Sequence, residues 1–194
     1  MKKLILTAAI AFIAVASNAQ NWKLDASHSK IKFNTKYLLI SDVDGEFKKI
    51  DGAFASLKAD WSDLTATVTA DVNSITTDND MRDKHIKGDD FFNAEKYPNI
   101  TFKSKSVKNI GGNKLILTGD LTIRDVTRQV EIPVVYNGTV KDPWGNTKAG
   151  FKATGKINRK AFNLKYSGAA ATGEAVVGDE VEFTIDLVLI KQQS

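Results

Sequence analysis

Strict alternation of apolar and polar residues is the feature that most constrains this fold. Over residues 181–189 (VEFTIDLVL) every second side chain is apolar, and residues 31–37 and 64–72 follow the same period. Successive side chains of a β-strand point to opposite faces of the sheet. A two-residue period therefore predicts strands with one apolar face.

Further strands of less regular pattern complete the predicted sheet. Turn-forming residues such as Asp44-Gly45 and 111–113 (GGN) separate them. About eight strands joined by short turns form an antiparallel sheet, and closing such a sheet hides its edges and leaves room for one slender ligand. The predicted fold is all-β, an extended antiparallel eight-stranded barrel. The less regular strands are expected near 43–57, 99–107, 114–123, 126–137 and 147–158.

Small residues on the predicted inward face bear on what fills the barrel. A barrel filled by its own side chains favours Leu, Ile and Val at such positions. The small residues therefore indicate either an open apolar lumen or a tapering end of the barrel, and the pattern leaves both open. They are Ala66, Ala70, Ala149, Ala153 and Gly155.

The alternation breaks in the middle of the chain, where a short helix is predicted near 78–88. Asp78 or Asn79 caps its N-terminus, and Gly88 ends it. Phe91 and Phe92 follow. Because neighbouring side chains cannot share one flat core, one is expected to pack under the helix and the other to face the barrel mouth.

Residues with catalytic or metal-binding chemistry are few. The chain has two histidines and no cysteine. Gly88 interrupts the helical spacing of His85 and Asp89, and Ser27 and His28 are strand neighbours that point to opposite faces. We therefore expect no catalytic set, no metal site and no enzymatic activity. A secreted hydrolase acting on a lipid or saccharide is the alternative.

The first residues predict export. Lys2 and Lys3 precede a short apolar run at 4–15, and small residues lead to Ala19. This is typical of a signal peptide over 1–19, cleaved after Ala19, because the run falls short of the ~20 residues of a membrane helix. One domain over 20–194 and a periplasmic location follow. Two leader lysines contribute to the net charge of +4, so no nucleic-acid partner is expected.

Five segments together resemble the YceI-like family of bacterial periplasmic proteins, from about Trp22 to Ile190. Its members are lipocalin-like barrels with a helix at one side. The resemblance implies an apolar lumen that binds a polyisoprenoid, such as an isoprenoid quinone or a polyprenyl phosphate, with no other cofactor and no secure enzymatic chemistry. The segments are 22–33 (WKLDASHSKIKF), 82–102 (RDKHIKGDDFFNAEKYPNITF), 117–130 (LTGDLTIRDVTRQV), 141–151 (KDPWGNTKAGF) and 177–187 (VGDEVEFTIDL).

Three positions depart from the family pattern. The family usually has Asp before Phe162 and Gly after it, where this chain has Ala161 and Asn163. Asn also adopts the left-handed conformation that Gly would supply, so we expect the turn to be kept. Asp125 replaces a common Gly, which predicts an altered turn there.

A set of mainly aromatic residues is the predicted site. A long tail needs an apolar tunnel, because each buried methylene contributes about 0.8 kcal/mol. The headgroup is expected at the mouth, near Arg82, His85 or Arg124. The tunnel is predicted to be lined by Phe33, Tyr37, Phe47, Phe102, Ile123, Phe151 and Phe162, with Phe91 or Phe92 near the helix.

A lipid carrier is favoured over an integral outer-membrane barrel. Lys and Thr alternate with the apolar residues over 30–37 and 64–72. If the apolar faces line the lumen, these polar side chains point outward, where a hydrocarbon environment would disfavour them. The sequence leaves the opposite orientation of the two faces open. The expected partner is an isoprenoid or other long-chain amphiphile, and the sequence leaves open whether the barrel forms a homodimer.

Overall fold

The computed structural model describes residues 20–193, which form eleven strands in one sheet and one α-helix. The predicted signal peptide (1–19) lies outside the described residues. Short 3₁₀ helices span Val72–Ser74 and Arg159–Phe162, and α1 spans Asp80–Lys87. The strands are β1 Asn21–Leu24, β2 Lys30–Tyr37, β3 Ser41–Phe47, β4 Ile50–Ala55, β5 Thr65–Asp71, β6 Ile75–Thr76, β7 Asn99–Gly111, β8 Lys114–Ile123, β9 Val126–Lys141, β10 Thr147–Asn158 and β11 Val177–Lys191.

The sheet closes into the predicted eight-stranded antiparallel barrel. We call each of the eight strand positions around the barrel a stave. Three staves consist of two consecutive strands, which are β1 with β2, β3 with β4 and β5 with β6. The two parts of the first stave pair with β11 on one side and with β4 and β3 on the other. Every later stave pairs with the next stave along the chain, so the barrel is an up-and-down meander.

The interruptions differ from the predicted pattern. Residues 43–57 form two strands, and the predicted turn at Asp44-Gly45 is wrong because Gly45 lies inside β3, opposite Phe33. Between β1 and β2, the Ser29 hydroxyl accepts the Val188 N–H at 3.0 Å. A side chain thus replaces a lost backbone bond of the ladder.

The meander gathers its connections at two ends. At one end lie the turns at 38–40 and 124–125, the segment containing α1, and the loop 159–176. At the other lie the connections at 56–64, 112–113 and 142–146. We call the first the α1 end and the second the tryptophan end.

Aromatic packing fills the tryptophan end. Trp61 is buried, and its ring centroid lies 4.9 Å from that of Trp22 and 4.8 Å from that of Phe151. The Asp63 carboxylate holds the connection that carries Trp61, since it accepts from the Ser56 hydroxyl at 2.6 Å and the Leu57 N–H at 2.9 Å. Leu115, Ala149 and Leu189 belong to the same buried cluster, so this end is plugged.

Helix α1 is fastened to the end of β6. The side chain of Asn79 caps it by accepting the Arg82 N–H at 3.0 Å, and Gly88 ends it, as predicted. Asp83 is buried and accepts from both the N–H (2.8 Å) and the hydroxyl (2.6 Å) of Thr77. Burial disfavours the Asp83 carboxylate, but these bonds outweigh it and hold its pKa below the ordinary value.

Candidate functional site

A cavity of about 720 Å³ occupies the barrel between the tryptophan cluster and α1. This volume is within the roughly 300–1,000 Å³ of small-molecule sites. Inward side chains of β2, β3, β4, β5, β7, β8, β9, β10 and β11 line it, and most are aliphatic or aromatic. The cavity is therefore suited to an apolar ligand.

Most of the predicted site residues meet in this cavity. Ten lining residues were named from the sequence, on five strands, on α1 and in the segment after it. The structure shows where they lie and leaves their contact with a ligand a prediction. They are Phe33, Tyr37, Phe47, Arg82, His85, Phe91, Phe92, Phe102, Ile123 and Phe151.

Phe162 does not line the cavity, and its assignment to the tunnel is wrong. It ends a 3₁₀ helix, which turns its ring out of the strand alternation. The ring is buried in a separate cluster with Ile123 and Leu164, and the Arg128 guanidinium lies 6.0 Å from its centroid. Phe162 supports the wall from behind.

Arg124 also lies outside the cavity lining, and its contact with a headgroup stays a prediction. Its Nη1 donates to the carbonyl oxygens of Asp89 (2.8 Å), Phe91 (2.6 Å) and Asn163 (2.9 Å). The guanidinium therefore ties the segment after α1 to the barrel wall.

The unusual residues near Arg124 bond to each other. The Asn163 amide donates to the Asp125 carboxylate at 3.1 Å, and Asn163 has the expected left-handed backbone (φ 60°). In the turn between β8 and β9 the left-handed residue is Arg124 (φ 54°). The hydrogen bond from the Asn163 amide holds the pKa of Asp125 below its ordinary value.

The predicted lining omitted the inward face of β11. Phe183, Ile185 and Leu187 all line the cavity, as do Phe54 and Tyr166. The alternation over 181–189 had already placed the first three on one face, and pairing β11 with β2 turns that face inward. The alternation of apolar and polar residues could therefore have identified the β11 residues. It could not have identified Tyr166, which lies in a loop without periodicity.

Two inward glycines seat phenylalanine rings against the wall. Gly45 lies opposite Phe33, and Gly155 lies opposite Phe183. A methyl group at either glycine would overlap the facing ring. The rings of Phe102 and Phe54 lie in the same way over Gly119 and Gly52. Because glycine leaves space beneath them, these rings lie along the wall.

The small inward residues thus serve both proposed purposes. Ala66 and Ala153 line the cavity, and Gly155 seats a ring beside it. Ala149 packs in the tryptophan cluster and Ala70 packs with Phe47, as a tapering barrel requires.

Exposed lining residues show that the cavity opens at the α1 end. Tyr37, Met81, Arg82 and His85 are exposed to solvent and line the cavity. His85 meets the Phe91 and Tyr166 rings edge-on, with both centroids at 5.2 Å. Its Nε2 lies 3.6 Å from the Asp90 carboxylate. The mouth thus combines an aromatic shelf with polar groups.

Arg82 and Arg159 at this end have structural partners. Arg82 donates from Nε and Nη2 to the hydroxyl and carbonyl of Thr77, both at 2.7 Å. Arg159 is buried and bonds to the carbonyls of Leu164 and Tyr166 and to the Asp179 carboxylate. Burial lowers the pKa of Arg159, and Asp179 opposes that shift. Both arginines hold the rim in place.

A Ser-His-Asp cluster lies in the turn between β1 and β2, away from the cavity lining. The expectation that Ser27 and His28 are strand neighbours on opposite faces is therefore wrong. Asp25 accepts from the Ser27 hydroxyl at 2.6 Å, and His28 Nδ1 lies 2.9 Å from Asp25 and 3.0 Å from Ser27. A catalytic triad uses the two imidazole nitrogens for its two partners. Here both contacts fall on Nδ1 and the Ser27 hydroxyl donates to Asp25, so the cluster lacks the triad arrangement in which one imidazole nitrogen takes the serine proton while the other is held by the aspartate.

Asp25 instead anchors the barrel wall. The Lys148 ammonium on β10 donates to its carboxylate at 2.9 Å. Burial opposes ionisation, but the bonds from Ser27, Lys148 and His28 prevail and hold the pKa of Asp25 well below its ordinary value. The contact joins the break between β1 and β2 to β10.

Other functional classes can be compared with the described residues. Within residues 20–193, no group of three or more His, Cys, Asp or Glu side chains is placed to hold a metal ion. No helix in that range is long and apolar enough to cross a membrane. The outward face of the wall carries charged pairs, including Lys156 with Glu180 (2.8 Å) and Glu182 (2.9 Å).

Comparison with known proteins identifies the family. The YceI-like domain family matches residues 22–189. The chain belongs to the YceI-like family. A UPF0312 protein of Staphylococcus aureus (strain bovine RF122 / ET3-1) is 38% identical over 164 residues, covering 84% of this chain and 93% of that protein. A UPF0312 protein of Photorhabdus laumondii is 39% identical over 170 residues, covering 85% and 88%.

Solved YceI-like structures share the barrel. BcnA of Burkholderia cenocepacia superposes with a TM-score of 0.74 at 29% identity, covering 85% of this chain and 98% of that one. The YceI protein of Campylobacter jejuni gives 0.70 at 31%, covering 81% and 90%. A polyisoprenoid-binding domain of Saccharophagus degradans gives 0.65 at 15%, covering 88% and 98%, and shows the shared fold.

Proposed function

We propose that this YceI-like protein carries a long isoprenoid amphiphile, such as an isoprenoid quinone or polyprenyl phosphate, in its barrel. The observation that carries the proposal is the apolar cavity of about 720 Å³, plugged by the tryptophan cluster and open beside α1. The fold is also that of a domain described as polyisoprenoid-binding. Family, lining and shape agree on a lipid-binding barrel.

Burial of the tail supplies the affinity. About twenty buried carbons contribute roughly 16 kcal/mol at about 0.8 kcal/mol each, whereas association costs roughly 4–15 kcal/mol. A single five-carbon isoprene unit contributes about 4 kcal/mol and does not cover that cost. The affinity therefore rises with chain length until the cavity is full.

The headgroup stays at the α1 end. His85 and the ring of Tyr166 lie at the mouth, where a quinone ring can stack or a phosphate can meet the imidazole. Arg82 lies at the same mouth, where its Nε and Nη2 donate hydrogen bonds to Thr77 that hold the guanidinium in place. The headgroup thus remains accessible while the tail is withdrawn from water.

The carrier acts in the periplasm, after removal of residues 1–19. Isoprenoid lipids partition into membranes, so a protein that moves them through an aqueous compartment must cover the whole apolar tail. The cavity of about 720 Å³, closed at the tryptophan end, supports this role. Fractionation of the native host by osmotic shock tests the location, and recovery of the protein in the cytosol contradicts it. Whether the barrel forms a homodimer stays open, and sedimentation tests it.

Native mass spectrometry with lipid extraction tests the carrier. Protein purified from its own host is expected to release a prenyl lipid, and delipidated protein is expected to bind farnesol, geranylgeraniol and a long-chain polyprenol with rising affinity. A protein that is empty as purified, and takes up none of these alcohols, would refute the proposal.

A matched pair of variants on β10 localises the binding. Ala153→Leu places a larger side chain inside the cavity, whereas Thr154→Leu adds a similar side chain on the outward face. Only the first is expected to weaken uptake of the polyprenol. Equal loss in both variants would indicate a general defect of the fold.

A further inference from the structure

An exposed apolar turn stands beside the mouth of the cavity. In the turn between β2 and β3, Leu39 is 60% exposed and Ile40 is 84% exposed. Tyr37, at the base of the turn, is 43% exposed, and Met81 on α1 is 82% exposed. We call these four residues the rim patch. An exposed cluster of large apolar side chains marks an interaction surface.

The residues of this turn are not the ones that its backbone conformation favours. The Ile40 N–H donates to the Tyr37 carbonyl at 3.1 Å, and both intervening residues have positive φ, 50° at Leu38 and 61° at Leu39. Tight hairpin turns with this backbone favour Asn-Gly, because leucine is strained there. Two leucines in such a turn oppose folding stability, which indicates a functional reason for their presence.

The rim patch continues into the cavity. Tyr37 and Met81 are exposed to solvent and also line the lumen. Tyr37 and Met81 therefore belong both to the outer surface and to the lumen, and they offer a lipid tail a path between the two. A lipid tail that follows this path avoids water.

The size and shape of the patch favour a bilayer over a second protein. A stable protein interface uses about 20–30 residues on each side, whereas the patch has four side chains on a hairpin tip and a helix. Such a tip can enter the boundary between headgroups and acyl chains. The nearby charges have both signs, with Lys36 paired to Asp42 at 2.8 Å, so insertion does not require anionic lipid.

We propose that the rim patch docks the mouth of the barrel on a lipid bilayer, so that the tail passes directly between membrane and lumen. The proposal rests on the proposed carrier function for its purpose. The docking itself is measured separately from lipid uptake.

Flotation with vesicles tests the docking. Wild-type protein is expected to float with vesicles of phosphatidylcholine alone, and added phosphatidylglycerol is expected to change the bound fraction little. In the variant Leu38→Asn/Leu39→Gly/Ile40→Ser, binding to the vesicles is expected to fall at least about tenfold. Asn-Gly relieves the strained turn, so thermal unfolding of this variant should be no earlier than that of the wild type.

Trp144→Ser is the matched control. Trp144 is 82% exposed, like Met81, but lies in the turn at the tryptophan end. Its replacement is expected to leave vesicle binding unchanged. Equal loss of binding in this variant overturns the assignment of docking to the α1 end.

Uptake of geranylgeraniol from ethanol, without vesicles, separates the two proposals. The turn variant is expected to take up the alcohol normally but to extract it from vesicles at least about tenfold more slowly. Wild-type protein that takes up the alcohol without floating overturns docking and leaves the carrier standing. Wild-type protein that floats with vesicles without taking up the alcohol supports docking and overturns the carrier. A wild-type dimer that the turn variant converts to a monomer assigns the patch to protein association and overturns docking.

Discussion

Replacing Gly155 by alanine tests whether the inward glycines set the width of the lumen. The added methyl group overlaps the ring of Phe183, and β10 and β11 fix the two residues opposite each other. The ring must therefore swing away from the wall, toward the cavity. If it excludes about three methylenes of ligand, the lost burial is about 2.4 kcal/mol, or roughly fiftyfold in Kd.

The free energy of unfolding of this variant is expected to fall by about 0–2.6 kcal/mol. Overpacking lowers the free energy of unfolding by about 1–3 kcal/mol. Alanine has less conformational freedom than glycine in the unfolded chain, which raises the free energy of unfolding by about 0.4–1 kcal/mol. Urea unfolding measures the net change, and titration with geranylgeraniol measures the affinity. The two readouts distinguish a narrowed lumen from a damaged fold.

Two further variants complete the experiment. Gly150→Ala, on the outward face of β10, brings its methyl group no closer than 3.5 Å to Asn137 and should bind as the wild type does. Phe183→Leu in the Gly155→Ala background should restore much of the affinity, because the smaller side chain fits beside the methyl group. Wild-type affinity in Gly155→Ala, or no recovery in the double variant, would refute the reasoning.

Three other predictions concern the frame around the cavity. Trp61→Ala should lower the free energy of unfolding in urea by about 3–5 kcal/mol, because it leaves a void in the tryptophan cluster; a loss below 1 kcal/mol would contradict that packing. Asp25→Asn should cost about 2 kcal/mol at pH 7, since Asp25 accepts hydrogen bonds from charged or polar donors. Its folded-state pKa is depressed, so this stabilisation is present above the unfolded pKa and disappears as the pH falls through the folded pKa; a difference that persists in strong acid would contradict the assignment. Phe162→Leu should lower the melting temperature and leave lipid affinity unchanged, since the ring lies outside the cavity lining; an affinity loss like that of Ala153→Leu would contradict this.

The geometry explains how one barrel combines a rigid frame with an open lumen. Side-chain packing is concentrated at the tryptophan end, and hydrogen bonds from Arg124 and Arg159 hold the loops at the α1 end. Between them, glycines let several rings lie along the wall. Stability thus comes largely from the two ends, and the middle remains available to a ligand.

The sequence by itself determined the strand pattern, the position of the helix and ten of the residues that line the cavity. A two-residue period is a local property, so the alternation along β2, β5 and β11 predicted which side chains share a face. Asn79 and Gly88 likewise marked the ends of α1 through their own backbone preferences.

Only the tertiary structure decided which residues leave that pattern and which meet across it. Phe162 lies outside the lumen because a 3₁₀ helix ends the alternation after β10. Arg124 donates hydrogen bonds to carbonyl groups of two loops that are distant in the chain. The seating of Phe183 on Gly155 depends on the register of two strands, and the plug depends on the connection that carries Trp61. Such contacts join residues far apart in the chain, and a local period carries no information about them.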